Sequence, residues 1–311
     1  MNYYIAKAAV RLQNLLAPRN ACGGTVVANA PRPLAGYDGV LFFFDEPLFM
    51  HYGDQLWFKP LVEKLAGAGI RVAVRPTKQI AFLFARHLDN GARDVSRHLI
   101  VSRTDLLPRV RREFGLAQEY FLFDTNSTRI RRPMSNHIVD SFSQHFDLDL
   151  PQNIVRSDYI DFDVDGADRF ALASHPRVLV LNNYVDSGRH RVTHRMGRRL
   201  QDALRARKAG AFVVHLGSSR DAARDRADYS GLVDLDLRGR TSIEDLFSIL
   251  ALPNIARVFC HDTLVLHIAN LYDRAVSVVF RRYFRPGENE QKRHACASLF
   301  EKDRANIEFL D

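Results

Sequence analysis

Gly39-Val-Leu-Phe-Phe-Phe44, an amphipathic run over residues 55–66, and Ile70-Arg-Val-Ala-Val74 follow one another near the start of the chain, and their order decides the fold. An unbroken apolar run of strand length reads as a strand covered on both faces, because a sheet with one wet face alternates polar and apolar residues. Two such strands joined by a helix run parallel, since a parallel pair needs a long crossover connection. Further strands are expected at Leu99-Ile-Val101 and Tyr120-Phe-Leu-Phe123, with polar or helical segments between them. A Gly, Ala and Pro-rich loop over residues 22–36 precedes this unit. Residues 1–16 read as a short amphipathic helix packed on its own domain; Lys7 and Arg11 interrupt its apolar run, which argues against a signal peptide.

The pattern then restarts. An acidic stretch over residues 157–168 leads into Arg177-Val-Leu-Val-Leu181, a helix over 192–208 and the strand Ala211-Phe-Val-Val-His-Leu216. The segment Val233 to Leu237, a helix over 242–250, Ala256-Arg-Val-Phe-Cys260, a helix over 264–271 and Ala275-Val-Ser-Val-Val-Phe280 complete it. The expected class is α/β, with two Rossmann-like, doubly wound parallel-sheet domains over residues 1–170 and 171–311 facing each other across a ligand cleft. The polar tail, residues 289–311, reads as a helix returning to the first domain.

Composition limits the partners. Of 311 residues, 46% are hydrophobic, which excludes a disordered chain. Lys and Arg number 44 against 36 Asp and Glu, a formal charge of +8, which favours anionic partners. Cys22, Cys260 and Cys296 are too few and scattered for a disulfide framework, so a reduced, cytoplasmic setting is expected. No apolar run reaches the roughly 20 residues that span a bilayer.

Three stretches carry candidate chemistry. In His51-Tyr-Gly-Asp54, a glycine permits a tight strand-to-helix loop, and Asp54 either caps the helix or points into a cleft; Asp45, Glu46 and His51 are rival acid–base groups in the same loop. Cys260-His-Asp-Thr-Leu-Val-Leu-His267 passes from strand to helix. There Asp262 and Thr263 are good N-caps, free N–H groups suit a diphosphate, and His267 lies one turn beyond Thr263. The loop from Asn182 to Arg195 carries Arg189, His190 and Arg191, suited either to phosphate oxygens or to a solvated basic helix start.

Other signals are weaker. Asp161-Phe-Asp-Val-Asp-Gly166 opens like a calcium loop, but Leu172 occupies the twelfth position where a bidentate Glu is needed. The cluster Arg129, Arg131, Arg132 lacks any accompanying nucleic-acid motif, so no nucleic-acid partner is expected. Dinucleotide, P-loop and His/Cys metal spacings do not occur.

Three ordered elements resemble a known family. Gly53-Asp-Gln-Leu-Trp-Phe-Lys-Pro-Leu-Val-Glu-Lys-Leu65 is similar to the G-D-x-L-x-x-x-P-L segment of the ADP-heptose:lipopolysaccharide heptosyltransferases, glycosyltransferase family nine, and Pro60 inside a helix is hard to attribute to generic composition. Leu235-Asp-Leu-Arg-Gly-Arg-Thr-Ser-Ile-Glu-Asp-Leu246 and Asp262-Thr-Leu-Val-Leu-His-Ile-Ala269 resemble its D-L-x-G-x-T-S and D-T-G-x-x-H elements, and the likeness runs over residues 39–282. The resemblance implies a GT-B fold and an inverting, metal-independent transfer of a heptose-like sugar from a nucleotide-diphosphate sugar to a bacterial surface glycan or glycolipid, with no cofactor. Asp54 is then the catalytic base. Asp262, Thr263, Leu264, His267, Arg189, Arg191 and Gly217 fall on the donor side, and Arg75, Lys78, Arg129, Arg131 and Arg132 on the side of an anionic acceptor. The expected location is cytoplasmic, with peripheral contact at the inner face of the membrane. Leu264 stands where the family has glycine, the Asn182–Arg195 loop has no lysine, and the loop from Phe42 to Met50 lacks the usual Ser/Arg-rich composition. A CMP- or UDP-linked donor and a non-catalytic GT-B-like binding module are the alternative readings.

Overall fold

A computed structural model describes residues 34–44, 52–89, 98–103, 119–123, 139, 142–143, 146–151, 153–160, 168–183, 194–225, 227–279 and 306–310. The chain divides into two units, Met1–Asp161 and Phe162–Asp311, where the sequence placed a boundary at residue 170. Residues 1–33, which hold the expected N-terminal helix, lie outside the described residues.

In the first unit β1 (Gly39–Phe43) is buried along its whole length. It pairs in parallel with β2 (Val72–Arg75) on one side and β3 (His98–Arg103) on the other, and β4 (Glu119–Phe123) extends the sheet beyond β3, giving the order β2-β1-β3-β4. Helix α1 (Tyr52–Gly67) crosses from β1 to β2 and keeps Pro60 within it. Phe42 and Phe44 share one face of the sheet and meet Phe58 of α1, with ring centroids 6.1 and 5.1 Å away. All three rings are fully buried, as are Leu61, Val62 and Leu65 of the helix. After β2, a kinked 3-10 segment (Lys78–His87), unmarked in the sequence, adds Ile80, Leu83 and Phe84 to this core.

The second unit has six parallel strands in the order β10-β9-β8-β5-β6-β7. They are β5 (Val178–Asn182), β6 (Phe212–His215), β7 (Leu235–Asp236), β8 (Ile255–His261), β9 (Val276–Val279) and β10 (Ile307–Phe309). The helices are α2 (His194–Arg205), α3 (Ser219–Arg224), α4 (Ile243–Ala251) and α5 (Leu264–Leu271). Leu179, Leu181, Val213, Phe259 and Val279 of the strands form one apolar layer with Leu200 and Leu204 of α2. Ser218 and Ser242 open α3 and α4 with capping boxes closed by Asp221 and Asp245, which satisfies N–H groups that a helix start otherwise leaves bare.

The end of the chain departs from expectation. Residues 307–309 are a strand, not a helix, and pair in parallel with β9 at the edge of the second sheet; residues 289–305 of the expected helix lie outside the described residues. Glu308 fixes this edge: its carboxylate accepts from Arg257 at 2.9 Å, from the Ser277 hydroxyl at 2.7 Å and from Arg207 at 2.8 Å.

Truncating a ring at the centre of the first unit tests the packing. Phe42→Ala should cost about 3–5 kcal/mol. Trp57, the chain's single tryptophan, lies beside Phe58 in this unit, so its fluorescence during urea unfolding reads the loss, and an unchanged midpoint would contradict the packing described.

Candidate functional sites at the carboxyl edges

Helices that cross between parallel strands begin at the carboxyl edge of the sheet, and ligands of such sheets bind there, where the strand order reverses direction. In the second sheet the reversal falls between β5 and β8, since the chain runs from β5 outward to β7 and then crosses to β8. Asn182, the last residue of β5, joins the strand ends at this point. Its buried Nδ2 donates to the Leu216 carbonyl just past β6 at 2.9 Å, and its Oδ1 accepts the Thr263 hydroxyl at 3.0 Å. Thr263 occupies the N-cap position of α5 with extended backbone, yet its side chain makes no capping bond. Asn182 has taken the hydroxyl, so the first turn of α5 keeps its N–H groups clear of a side-chain cap. Asp262 and His267 flank that turn, with His267 Nε2 3.9 Å from Asp262 Oδ1.

Beneath this edge runs a buried polar chain. His261 closes β8, with Nδ1 donating to the Val279 carbonyl at 3.2 Å and Nε2 3.4 Å from Asn183 Oδ1. Asn183 Nδ2 donates to the Tyr229 hydroxyl at 2.5 Å, and that hydroxyl donates to Asp225 at 2.5 Å. Arg238 reaches the same Asp225 oxygen at 3.2 Å and grips Asp236 through Nε and a terminal nitrogen. Hydrogen bonding from Arg238 lowers the Asp236 pKa, and the same contact raises that of Arg238, so both stay charged. Burial and the bond to Asp225 push the Tyr229 phenol up, and burial, followed by the Asp262 charge, raises the Cys260 thiol, removing it from nucleophilic chemistry. Gly217 follows β6 where a Cβ would lie 3.1 Å from the Asp221 carboxylate and 3.2 Å from Arg238 Cγ, so its missing side chain admits Arg238 to the edge.

In the first unit α1 begins at Tyr52, so Asp54 is the third residue of the helix and does not occupy the N-cap position. The first turn of a helix favours a carboxylate there. Arg75 ends β2 with its guanidinium bound to Asp89 through Nε at 3.1 Å and a terminal nitrogen at 2.5 Å, while Lys78 is exposed at the start of the 3-10 segment. The structure thus gathers Asp262, Thr263, Leu264 and His267 at one helix start, with Gly217 past the end of β6, two strands away from β8. Arg189, His190, Arg191, Arg129, Arg131, Arg132, Asp45, Glu46, His51 and the calcium-like loop over 161–166 lie outside the described residues. Sequence reasoning assigned no role to Asn182, Asn183, Tyr229, Asp225, Arg238, His215 or His261 singly. The available signal was that the apolar strands end in Asn-Asn, His and Cys-His.

His215, at the end of β6, meets the edge of the Tyr229 ring at 4.5 Å, and neither of its buried ring nitrogens has a hydrogen-bond partner. Burial, and then the Arg238 charge, lower its pKa to about 3; burial lowers that of His261 to about 4. An unfolded histidine takes up its proton near pH 6.5, so between there and these lowered values the unfolded state binds more protons and stability falls with pH. His215→Leu removes one such group together with two unsatisfied nitrogens. Calorimetry should show the variant at least as stable as the parent at pH 7 and losing less melting temperature between pH 6.5 and 4; an equal loss would contradict the buried neutral assignment.

Comparison with known proteins bears on the fold. No protein-family model matches the chain, and no curated protein sequence matches it. Among solved structures it is similar to E. coli heptosyltransferase WaaC with ADP, at 11% identity and TM-score 0.55, covering 86% of this chain and 92% of that one. A glycosyl transferase family 9 protein from Veillonella parvula is similar at 12% identity and TM-score 0.53, over 91% and 88% of the two chains. E. coli ADP-heptose lps heptosyltransferase II is similar at 16% identity and TM-score 0.50, over 78% and 84%. The chain has the α/β, GT-B-type fold of these glycosyltransferases.

Proposed function

We propose that this protein is a glycosyltransferase that moves a sugar from a nucleotide-diphosphate donor to a glycan or glycolipid acceptor, inverting the anomeric centre. One observation supports this most: the Asp-Thr…His element sits at the reversal point of a six-stranded parallel sheet, around a helix start whose own side-chain cap is engaged by Asn182. The likeness in fold to heptosyltransferases, one of them solved with ADP, supports a nucleoside diphosphate as the group held there.

In this reading the diphosphate lies against the first turn of α5, where backbone N–H groups and the positive end of the helix dipole meet its charge. Asp54 takes the proton from the acceptor hydroxyl as that oxygen attacks the anomeric carbon, and the diphosphate departs from the opposite face. Negative charge growing on the leaving oxygen is met by the helix start and by Arg189 and Arg191, a role that calls on no divalent metal. Arg75, Lys78, Arg129, Arg131 and Arg132 are assigned to an anionic acceptor, Arg75 only if Asp89 yields it. The setting proposed is the cytoplasm, at the inner face of the membrane; among the described residues no helix is long and apolar enough to cross one.

Leu264 favours a second reading. It is the first residue of α5 and carries a side chain where a glycine would let phosphate approach the backbone, which fits a differently seated donor, CMP- or UDP-linked, or a binding module without turnover. A panel of ADP-, UDP- and CMP-sugars separates these by calorimetry and transfer assay. The glycosyltransferase reading expects one donor to bind, and Asp54→Ala to lower transfer about 10²–10⁴-fold while donor binding persists. Binding by none of the panel, or full transfer by Asp54→Ala, would overturn it.

A further inference from the structure

Helix α1 carries a polar stripe where a core helix ordinarily has an apolar one. Gln55, Lys59 and Glu63 recur at intervals of four, so they stand one turn apart on a single face. The side chains of Gln55 and Lys59 are both 0% exposed. Leu56, Phe58, Leu61, Val62 and Leu65 supply the helix with its apolar packing, so the stripe is not needed to bury the helix. Burying amide and ammonium groups is costly unless they are bonded, and these are bonded. Lys59 pairs with Glu63, and Glu63 meets His87 Nε2 at 3.1 Å. Gln55 holds Thr77 twice: its Oε1 accepts the Thr77 backbone N–H at 3.2 Å, and its Nε2 donates to the Thr77 hydroxyl at 3.4 Å.

The partners lie at the two ends of one segment. Thr77 is the residue before the 3-10 segment Lys78–His87, and His87 is its last residue. Thr77 also comes two residues after Arg75, the end of β2, so its N–H belongs to the connection that leaves the carboxyl edge of the first sheet. Gln55 adjoins Asp54 in the first turn of α1. A single buried amide therefore ties the turn that bears Asp54 to the end of the neighbouring strand, and the Lys59–Glu63–His87 contacts repeat the tie two turns further on.

We propose that Gln55 is a positioning residue for Asp54, acting with Thr77 as a two-bond clamp that fixes the backbone turn from which the carboxylate springs. The role of Asp54 rests on the glycosyl-transfer reading, whereas the clamp itself does not. A base held by a fixed turn reaches the acceptor hydroxyl in the geometry that the reaction needs, and displacement by an ångström is enough to cost much of the rate.

Four variants test this in the full chain. Gln55→Leu removes both bonds and keeps most of the volume; Gln55→Glu keeps an oxygen for each, since the Thr77 hydroxyl can turn to donate. Thr77→Val removes the hydroxyl and Thr77→Ser retains it. Hydrogen exchange of the amides of residues 52–58 reads the clamp without any substrate, and kcat and donor KM read its purpose. The clamp predicts faster exchange in Gln55→Leu, a fall in kcat of about 10- to 100-fold with donor KM within about twofold, and recovery of most of that loss in Gln55→Glu. Thr77→Val should follow the Leu variant in part, and Thr77→Ser should match the parent; if Gln55→Leu fails to fold, this pair decides alone. Unchanged exchange at residues 52–58 would overturn the clamp. Faster exchange with intact kcat, or a Glu variant as slow as the Leu variant, would overturn its role in positioning. Full transfer by Asp54→Ala would instead remove Asp54 from the reaction and leave the exchange result standing for the clamp.

Discussion

A strand cannot reach a parallel neighbour through a tight turn; the chain must cross the whole face of the sheet before it can pair again. Every strand pairing described in this protein is parallel, so every crossing leaves from a carboxyl edge, and helix starts and polar loop residues accumulate there. Room for a ligand is left at those edges by the same constraint that makes the strands apolar, because packing takes up the faces of a parallel sheet. The six-stranded sheet concentrates the effect: its reversal between β5 and β8 brings Asn182, Asn183, His261, Asp262 and Thr263 to adjoining strand ends.

What occupies the second edge is a connected polar layer above an apolar one. Leu179, Leu181, Val213 and Phe259 fill the space under α2, and His215, Asn183 and His261 continue the same inward-facing positions one step further along their strands. Polar residues this deep stabilise only when their partners are complete. From Asn183 through Tyr229 and Asp225 to Arg238 each group has one, His261 donates to the Val279 carbonyl, and His215 is the exception. The arrangement fixes side chains at the edge in one geometry, which suits a site that must present backbone N–H groups without first rearranging. Asn182 shows how local choices serve this: one amide holds β6 to β5 and draws the Thr263 hydroxyl away from the helix it precedes.

Strands such as β1 and β5 were legible because their unbroken apolar runs admit few other readings, and the placing of α5 followed from Asp262 and Thr263 standing where a strand passes into a helix. The tail was not. Ile307–Phe309 is three residues long, and what makes it a strand is a free edge on β9 and the contacts of Glu308 with Arg257, Ser277 and Arg207, none of them near in sequence. The candidate donor edge was legible in part, as Asp262, Thr263 and His267 fall within six residues of one another. The layer below was not, because Asn183 and His261 are 78 residues apart and only the sheet order brings them together. On α1 the polar spacing of Gln55, Lys59 and Glu63 was visible in the sequence, but nothing local distinguishes a buried stripe from a solvated one.

The central claim is that the start of α5 at the β5/β8 reversal receives the diphosphate of a nucleotide donor. Titration of the isotope-labelled protein with ADP and with UDP, followed by amide NMR, tests it at the residues concerned. The account predicts that the largest saturable shifts fall on the amides of Thr263, Leu264 and Val265, with smaller ones at Asn182 and Gly217. Saturable shifts centred elsewhere in the second unit, with the α5 amides unmoved, would contradict it.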